Sequence, residues 1–463
     1  MISRRTGIGC IVDGRMKEDI IAAIATAPGQ GGIGIVRISG PEAEKILDGI
    51  FRPAGGTKTM ESHRLVYGRI LDGEEVLDEC MAVIMRAPKS YTREDVAEIQ
   101  SHGGTQTLNR VLDLCLRRGA RMAEAGEFTR RAFLNGRIDL SRAEAVMSLI
   151  AARGEQERRA AVRQMAGGTA DFIRKASDEL YVLQAGLAAC MDYPEEISDE
   201  EGAGQLRDGL EKLILELQEA VDERSVRLIH EGMHVTLFGI PNAGKSSLLN
   251  ALTGQEKAIV TEIPGTTRDT VEGEMISDGI RVILTDTAGM RQTEDPIERI
   301  GVERSEQARQ QADIALLVLD GSREPGEEEI AWLKQLQETD AVIINKSDLP
   351  QKTTEDTVHA VRPEIRCMTV SALDSGSLQP VRDFFRKSAE IGDRLAITQP
   401  RHLEAVKRAI ASLREAKKTL DSWTPDMAST DLQAAQQALS EITGDRADEK
   451  LLDAVFSNFC VGK

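Results

Sequence analysis

Aromatic residues are scarce, at 3% of 463 positions, so any core must be built from aliphatic side chains. No apolar run reaches about 18 residues, which excludes a membrane-spanning helix. The N-terminus lacks the hydrophobic stretch of a secretory signal. Six cysteines, at 10, 80, 115, 190, 367 and 460, are scattered without metal-ligand spacing. Reduced thiols in a cytoplasmic protein are the simple account. Positive charge is in deficit, with a net charge of −18 and a pI of about 5.0. That argues against a general nucleic-acid binder, though not against a local basic patch.

The length predicts two or three domains. Residues 1–17 carry several glycines and arginines and fit no element, so they are read as a disordered N-terminal extension, with Met16 an alternative start. Residues 18–135 read as a small α/β domain. Ile20–Ile24 and Ile33–Ile38 are strand-like around the loop Pro28-Gly29-Gln30-Gly31-Gly32, Val83–Met85 is another strand, and 105–118 is helical. From 136 to 232 the pattern is helical, with Leu206, Leu210, Leu213 and Leu217 on one face. Helical stripes return over 394–463, as Leu403, Val406, Ile410, Leu413 and then Leu432, Ala435, Leu439, Ile442. The economical arrangement is one helical domain, 136–232 plus 394–463, with a domain of 233–393 inserted into it.

That inserted segment carries the chemistry. Gly239-Ile240-Pro241-Asn242-Ala243-Gly244-Lys245-Ser246 follows the apolar run Val235–Phe238 and leads into Ser247–Leu252, which is helix-like. Strand, glycine loop and helix are the context of a phosphate-binding P-loop. Its backbone N–H groups and the helix N-terminus attract phosphate oxygens. Lys245 is placed for the outer phosphates and the Ser246 hydroxyl for Mg²⁺. Asp286-Thr287-Ala288-Gly289 follows Val282–Leu284 and suits water-bridged Mg²⁺ and a γ-phosphate sensor. Asn345-Lys346-Ser347-Asp348 follows Ala341–Ile344. A carboxylate at Asp348 accepts from guanine N1–H and the exocyclic amine, a donor pair adenine lacks. Ser371-Ala372-Leu373 can offer a backbone amide to guanine O6. Together the four motifs specify GTP.

Gly265-Thr266-Thr267-Arg268-Asp269 is a candidate switch, its threonine hydroxyl completing the Mg²⁺ shell when GTP is bound. Where Ras-type GTPases carry the water-orienting glutamine, this chain has Met290. A thioether cannot orient water, so hydrolysis needs another device.

Four stretches carry a family resemblance. They are Ala27-Pro28-Gly29-Gln30-Gly31-Gly32-Ile33-Gly34; Ser90-Tyr91-Thr92 through Glu98 to His102-Gly103-Gly104; Thr266-Thr267-Arg268-Asp269; and the terminal Phe459-Cys460-Val461-Gly462-Lys463. From about residue 18 to the end the chain resembles the MnmE (TrmE) family of tRNA-modification GTPases. The resemblance implies an N-terminal α/β folate-binding domain that dimerises, a helical domain, and a Ras-like P-loop domain inserted into it. It implies a cytoplasmic homodimer that works with an FAD-dependent partner, as a heterotetramer, on C5 of the tRNA wobble uridine. The added aminomethyl or carboxymethylaminomethyl group draws its one-carbon unit from a 5-formyl- or 5,10-methylene-tetrahydrofolate. GTP hydrolysis in the family depends on K⁺, with the GTP-binding domains of the dimer approaching each other.

Residue by residue, the resemblance implies K⁺ ligation by Asn242 with Thr261, Ile263 and Thr266, Mg²⁺ ligation by Ser246 and Thr267, and water positioning by Glu298. A cation there can do what an arginine finger does elsewhere. Folate contacts fall on Arg37, Glu98, Arg137 and Lys463, with Arg137 replacing a frequent lysine. The Gly29–Gly34 loop is not a dinucleotide fingerprint, because a strand follows it rather than a helix. Cys460 is either a packing residue or a thiol near the pterin or the uridine. Arg117, Arg118, Arg121, Arg130 and Arg131 are either tRNA contacts or a solvated helix face. The alternative function is a GTP-switched ribosome or RNA assembly factor without base chemistry. The N-terminal motifs and the Cys-Val-Gly-Lys tail favour the modification enzyme.

Overall fold

The computed structural model describes residues 19–56, 59–193, 199–254, 271–277, 279–286, 312–389, 396–422 and 425–463. The extension expected at 1–17 lies outside them. The chain forms two compact units, one from the residues up to Met147 with Leu439–Lys463, the other from Ser148–Ala438.

The first unit is built on a seven-stranded sheet. Its strands are β1 (Ile21–Ile24), β2 (Gly31–Ser39), β3 (Phe51–Pro53), β4 (Val66–Asp72), β5 (Glu75–Met85), β6 (Val96–Gly103) and β7 (Arg121–Met122). Their spatial order is β3-β4-β5-β6-β2-β1-β7, antiparallel except for β1 with β7. Side chains alternate between the sheet faces. Val36 and Ile38 of β2, and Ala97 and Ile99 of β6, are fully buried with residues of α1 (Ala43–Ile50) and α2 (Thr105–Arg117). Arg37 and Glu98 therefore point to the opposite face. The register sets them directly across from each other, as a cross-strand pair.

The second unit contains a six-stranded sheet. Its strands are β8 (Met233–Phe238), β9 (Val271–Ser277), β10 (Ile280–Asp286), β11 (Ile314–Asp320), β12 (Ala341–Asn345) and β13 (Arg366–Thr369). The order is β13-β12-β11-β8-β10-β9, with only β9 antiparallel to its neighbour. Parallel strands are covered on both faces, and the wholly buried run Ala341–Asn345 reads that way. Chain order reverses beside β8, a topological switch point that opens a crevice at the carboxyl ends of the strands. This is the Ras-like P-loop arrangement expected. The leucine stripe of 206–217 is buried on the helix Asp199–Glu219, and the stripes starting at Leu403 and Leu432 are buried on Pro400–Asp421 and Pro425–Thr443. No helix among the described residues is long and apolar enough to cross a membrane.

The arginine cluster fits neither of its expected readings as a whole. Arg131, on α3 (Glu127–Leu134), is 1% exposed. It donates to Asp19 Oδ1 at 2.7 Å, to Glu127 Oε1 at 2.9 Å and to Glu94 at 3.2 Å. Arg121 binds Asp19 and Glu127, Arg117 binds Asp72, and Arg130 binds Asp453. Four of the five are thus committed to carboxylates, and one of those four, Arg131, lies in the interior. Burial raises the Glu127 carboxyl, but the hydrogen bonds from Arg121, the Glu124 amide and Arg131 outweigh it and hold it below its ordinary 4.5.

Removing one partner of a buried ion network leaves an uncompensated charge, at a cost of about 3–5 kcal/mol. Arg131→Ala is expected to lower the unfolding midpoint of the first unit accordingly in denaturant titration. Glu127 is depressed in the fold, so its contribution is complete above pH 4.5 and lost as pH falls through the lower folded value. The variant's stability should therefore vary less than wild type's below pH 4.5. An equal acid slope in both proteins would contradict the network's role.

Candidate functional site

The crevice at the end of the six-stranded sheet gathers the sequence motifs. After β8 the chain turns through the glycine loop into the helix Lys245–Thr253. Gly244 sits at the helix start with φ +95°, and a Cβ there would lie 2.1 Å from Asn345 Nδ2. Only glycine meets both the backbone and the space requirement. Asn242 also holds a left-handed φ, of 63°, which asparagine tolerates better than most residues. Lys245 is 4% exposed, and its ammonium donates to Gly239 O and Ile240 O at 2.9 Å each. It thus straps the loop into its curved form.

Asp286 closes β10 and is 1% exposed. The Ser246 hydroxyl donates to its Oδ2 at 2.5 Å. A hydroxyl and a carboxylate oxygen thus meet at one point, hard oxygen donors of the type Mg²⁺ prefers.

Asn345 ties three loops together. Its Nδ2 donates to Ala243 O of the P-loop at 2.9 Å, and its Oδ1 accepts from the Ala372 amide at 3.1 Å. Ser371 Oγ donates to Asp348 Oδ1 at 2.6 Å and accepts from the Leu373 amide at 3.3 Å. Asp348 is exposed, with one carboxylate oxygen held by Ser371. Lys346, at φ 65°, reaches Asp320 Oδ2 at 2.6 Å. Burial raises Asp320, but Lys346 and Ser322 more than offset it and keep the carboxyl below its ordinary range. Asp320 was not among the expected residues. The signal was present, since it ends an apolar strand just as Asp286 does. Thr261, Ile263, Thr266, Thr267, Thr287, Ala288, Gly289, Met290 and Glu298 lie outside the described residues.

A second constellation lies in the first unit. Arg37 Nε donates to Glu98 Oε1 at 2.8 Å, and Nη1 donates to Gly462 O at 3.2 Å. Its guanidinium carbon is 5.8 Å from the Tyr91 ring centre and 5.7 Å from that of Phe128. Both aromatics frame the pair, and neither was expected, although Tyr91 stands in a stretch that carries the resemblance. Arg137 donates to Tyr91 O at 3.1 Å and lies 4.8 Å from the same ring.

The C-terminal tail enters this site by several fixed points. Phe456 and Phe459 are buried with ring centres 5.3 Å apart. Val461 bridges to Ala125, and the Gly126 amide donates to Cys460 O at 3.4 Å. Gly462 has φ +98°, and a Cβ would meet Ile24 O at 2.4 Å, so the glycine is sterically required. Lys463 is half-buried beside it. Cys460 is exposed, whereas burial pushes the thiols of Cys80, Cys115 and Cys367 up to about 12. The packing alternative for Cys460 does not fit an exposed residue. No group of three or more His, Cys, Asp or Glu side chains that could hold a metal ion occurs among the described residues.

The held Asp348 carboxylate makes guanine recognition testable. Asp348→Asn is expected to lose GTP affinity by on the order of 10⁴-fold and to gain xanthosine triphosphate, whose altered edge accepts from an amide. Equilibrium titration with both nucleotides checks this, and unchanged GTP binding with no xanthine gain would refute it.

A family model described as "GTP-binding protein TrmE N-terminus" matches residues 20–137, and one described as "MnmE helical domain" matches 140–460. The chain is 42% identical over 466 residues to the tRNA modification GTPase MnmE of Heliobacterium modesticaldum, covering 97% of this chain and 100% of that one. It is 42% identical over 460 residues to the Bacillus velezensis protein of the same name, covering 96% and 100%. The Bacillus subtilis protein of that name is 41% identical over 460 residues, again covering 96% and 100%. With both family models matched and relatives aligned along nearly its whole length, the chain belongs to the MnmE family of tRNA modification GTPases.

Proposed function

We propose that this chain hydrolyses GTP to drive tetrahydrofolate-dependent addition of an aminomethyl or carboxymethylaminomethyl group to C5 of the tRNA wobble uridine. It does so as a cytoplasmic homodimer working with an FAD-dependent partner. The domain plan is an N-terminal folate domain at 18–135, helices at 136–232 and 394–463, and a GTP-binding insertion at 233–393.

At the nucleotide, the Lys245 ammonium leaves the Gly239 and Ile240 carbonyls to donate to the outer phosphates, and Ser246 with Thr267 would hold Mg²⁺. Asp348 selects guanine, its orientation held by Ser371. Asn242, Thr261, Ile263 and Thr266 take K⁺, which stabilises charge developing on the phosphates. Glu298 positions the attacking water when the domains close. Thr287, Ala288 and Gly289 report the γ-phosphate.

At the second site, the donor set fits a reduced pterin. Glu98 engages Arg37 through Oε1, which leaves Oε2 to accept from ring N–H groups. Arg137 and Lys463 supply cations for carbonyl or carboxylate oxygens, and Tyr91 offers a ring face. The folate, when bound, supplies the one-carbon unit. The chain's own residues orient it and shield it from water.

One observation carries this reading over the assembly-factor alternative. Arg37 is bonded both to Glu98 and to the Gly462 carbonyl of the tail, a built site that GTP switching alone does not need. Nucleoside mass spectrometry is the test. Cells whose only copy carries Arg37→Ala are expected to lose most modified wobble uridine, while the purified variant still hydrolyses GTP. Full modification in those cells would refute the proposal.

A further inference from the structure

Arginines of the first unit are largely committed to carboxylates. Arg69 pairs with Glu79, Arg110 with Glu75, and Arg86 with Glu44. Lys89, Arg93 and Arg137 differ. They line one cavity of about 580 Å³ with Tyr91, on an apolar wall of Met85 and Pro88. No carboxylate lines this cavity. Arg93 donates to Asn135 O at 3.0 Å and Arg137 to Tyr91 O at 3.1 Å, both neutral carbonyls. Among the described residues none of the three cations has a carboxylate partner. Lys89 and Arg93 are exposed, and Arg93 is held at a left-handed φ of 61°. In a chain of net charge −18, this is a localised anion-attracting hollow.

One ring links the hollow to the candidate folate contacts. The Tyr91 ring centre lies 5.8 Å from the Arg37 guanidinium carbon and 4.8 Å from that of Arg137. A ligand seated on Arg37 and Glu98, with its tail running past Tyr91, enters the hollow. We propose that the cavity binds the poly-γ-glutamyl extension of the folate, a proposal that rests on the folate reading above. Each added residue of that chain brings one α-carboxylate for a cation and two methylenes for the apolar wall. The cavity offers both surfaces side by side. A nucleic-acid backbone would use the cations but leave Met85 and Pro88 without a partner.

The test titrates full-length protein with monoglutamyl and pentaglutamyl 5-formyl-tetrahydrofolate, in low and high salt. The same is done for Lys89→Ala/Arg93→Ala and for Lys89→Ala alone. Wild type is expected to bind the pentaglutamyl form about tenfold tighter, since each exposed ion pair is worth a few-fold at most. The advantage should shrink in high salt. It should fall partly in the single variant and mostly in the double variant, which keeps only Arg137 and the apolar wall, with monoglutamyl affinity unchanged in both. Equal affinity of wild type for the two ligands overturns the tail site and leaves the folate reading standing. No monoglutamyl binding by wild type overturns the folate reading, and the tail site with it. A double variant that keeps the chain-length advantage but loses tRNA affinity assigns the hollow to nucleic acid and overturns the proposal.

Discussion

The two hydrogen bonds of Arg37 tie the first unit's sheet to the C-terminal segment. One partner, Glu98, is its neighbour across the sheet, and the other is a carbonyl one residue from the C-terminus. The first unit therefore draws on residues far apart along the chain. Leu439–Lys463 accordingly packs with the residues up to Met147, and Ser148–Ala438 is spanned as a separate compact unit. Buried Phe456 and Phe459, the bridge from Val461 to Ala125, and the sterically required Gly462 fix where the tail ends. An arginine between a carboxylate and a carbonyl is a strong, charge-assisted arrangement, and it repays the ordering of an otherwise short tail.

The nucleotide crevice follows a similar economy. The buried Asn345 amide connects the P-loop carbonyl of Ala243 with the amide of Ala372, so one side chain fixes the phosphate loop relative to the base loop. The Gly239 and Ile240 carbonyls hold Lys245, and Asp286 holds the Ser246 hydroxyl, in a form that phosphate and Mg²⁺ can replace. Preorganisation of this kind lowers the ordering cost of binding.

What was legible in the sequence was local. The apolar runs before Gly239, Asp286 and Asn345 became β8, β10 and β12, and the leucine stripes became buried helix faces. Glycine and lysine at fixed spacing identified the phosphate loop because the backbone itself does the binding. The rest depended on register and distance along the chain. Arg37 and Glu98 were named through the resemblance, but their direct pairing is a property of the β2–β6 alignment, which short-range pattern does not encode. Arg131 reads as one more surface arginine on a helix, yet three carboxylates from Asp19, Glu94 and Glu127 converge on it in the interior. Tyr91 and Phe128 flank Arg37 from segments remote in sequence. Asp320 was the exception, visible as a strand-ending aspartate and passed over.

The central claim is that the tail is part of the proposed folate site rather than a terminus that happens to rest on it. Deleting Gly462 and Lys463 from the full-length chain, then measuring tetrahydrofolate and GTP affinity by calorimetry, tests it most directly. The account predicts that folate binding is lost while GTP affinity stays at the wild-type value. Wild-type folate affinity in the shortened chain would contradict it.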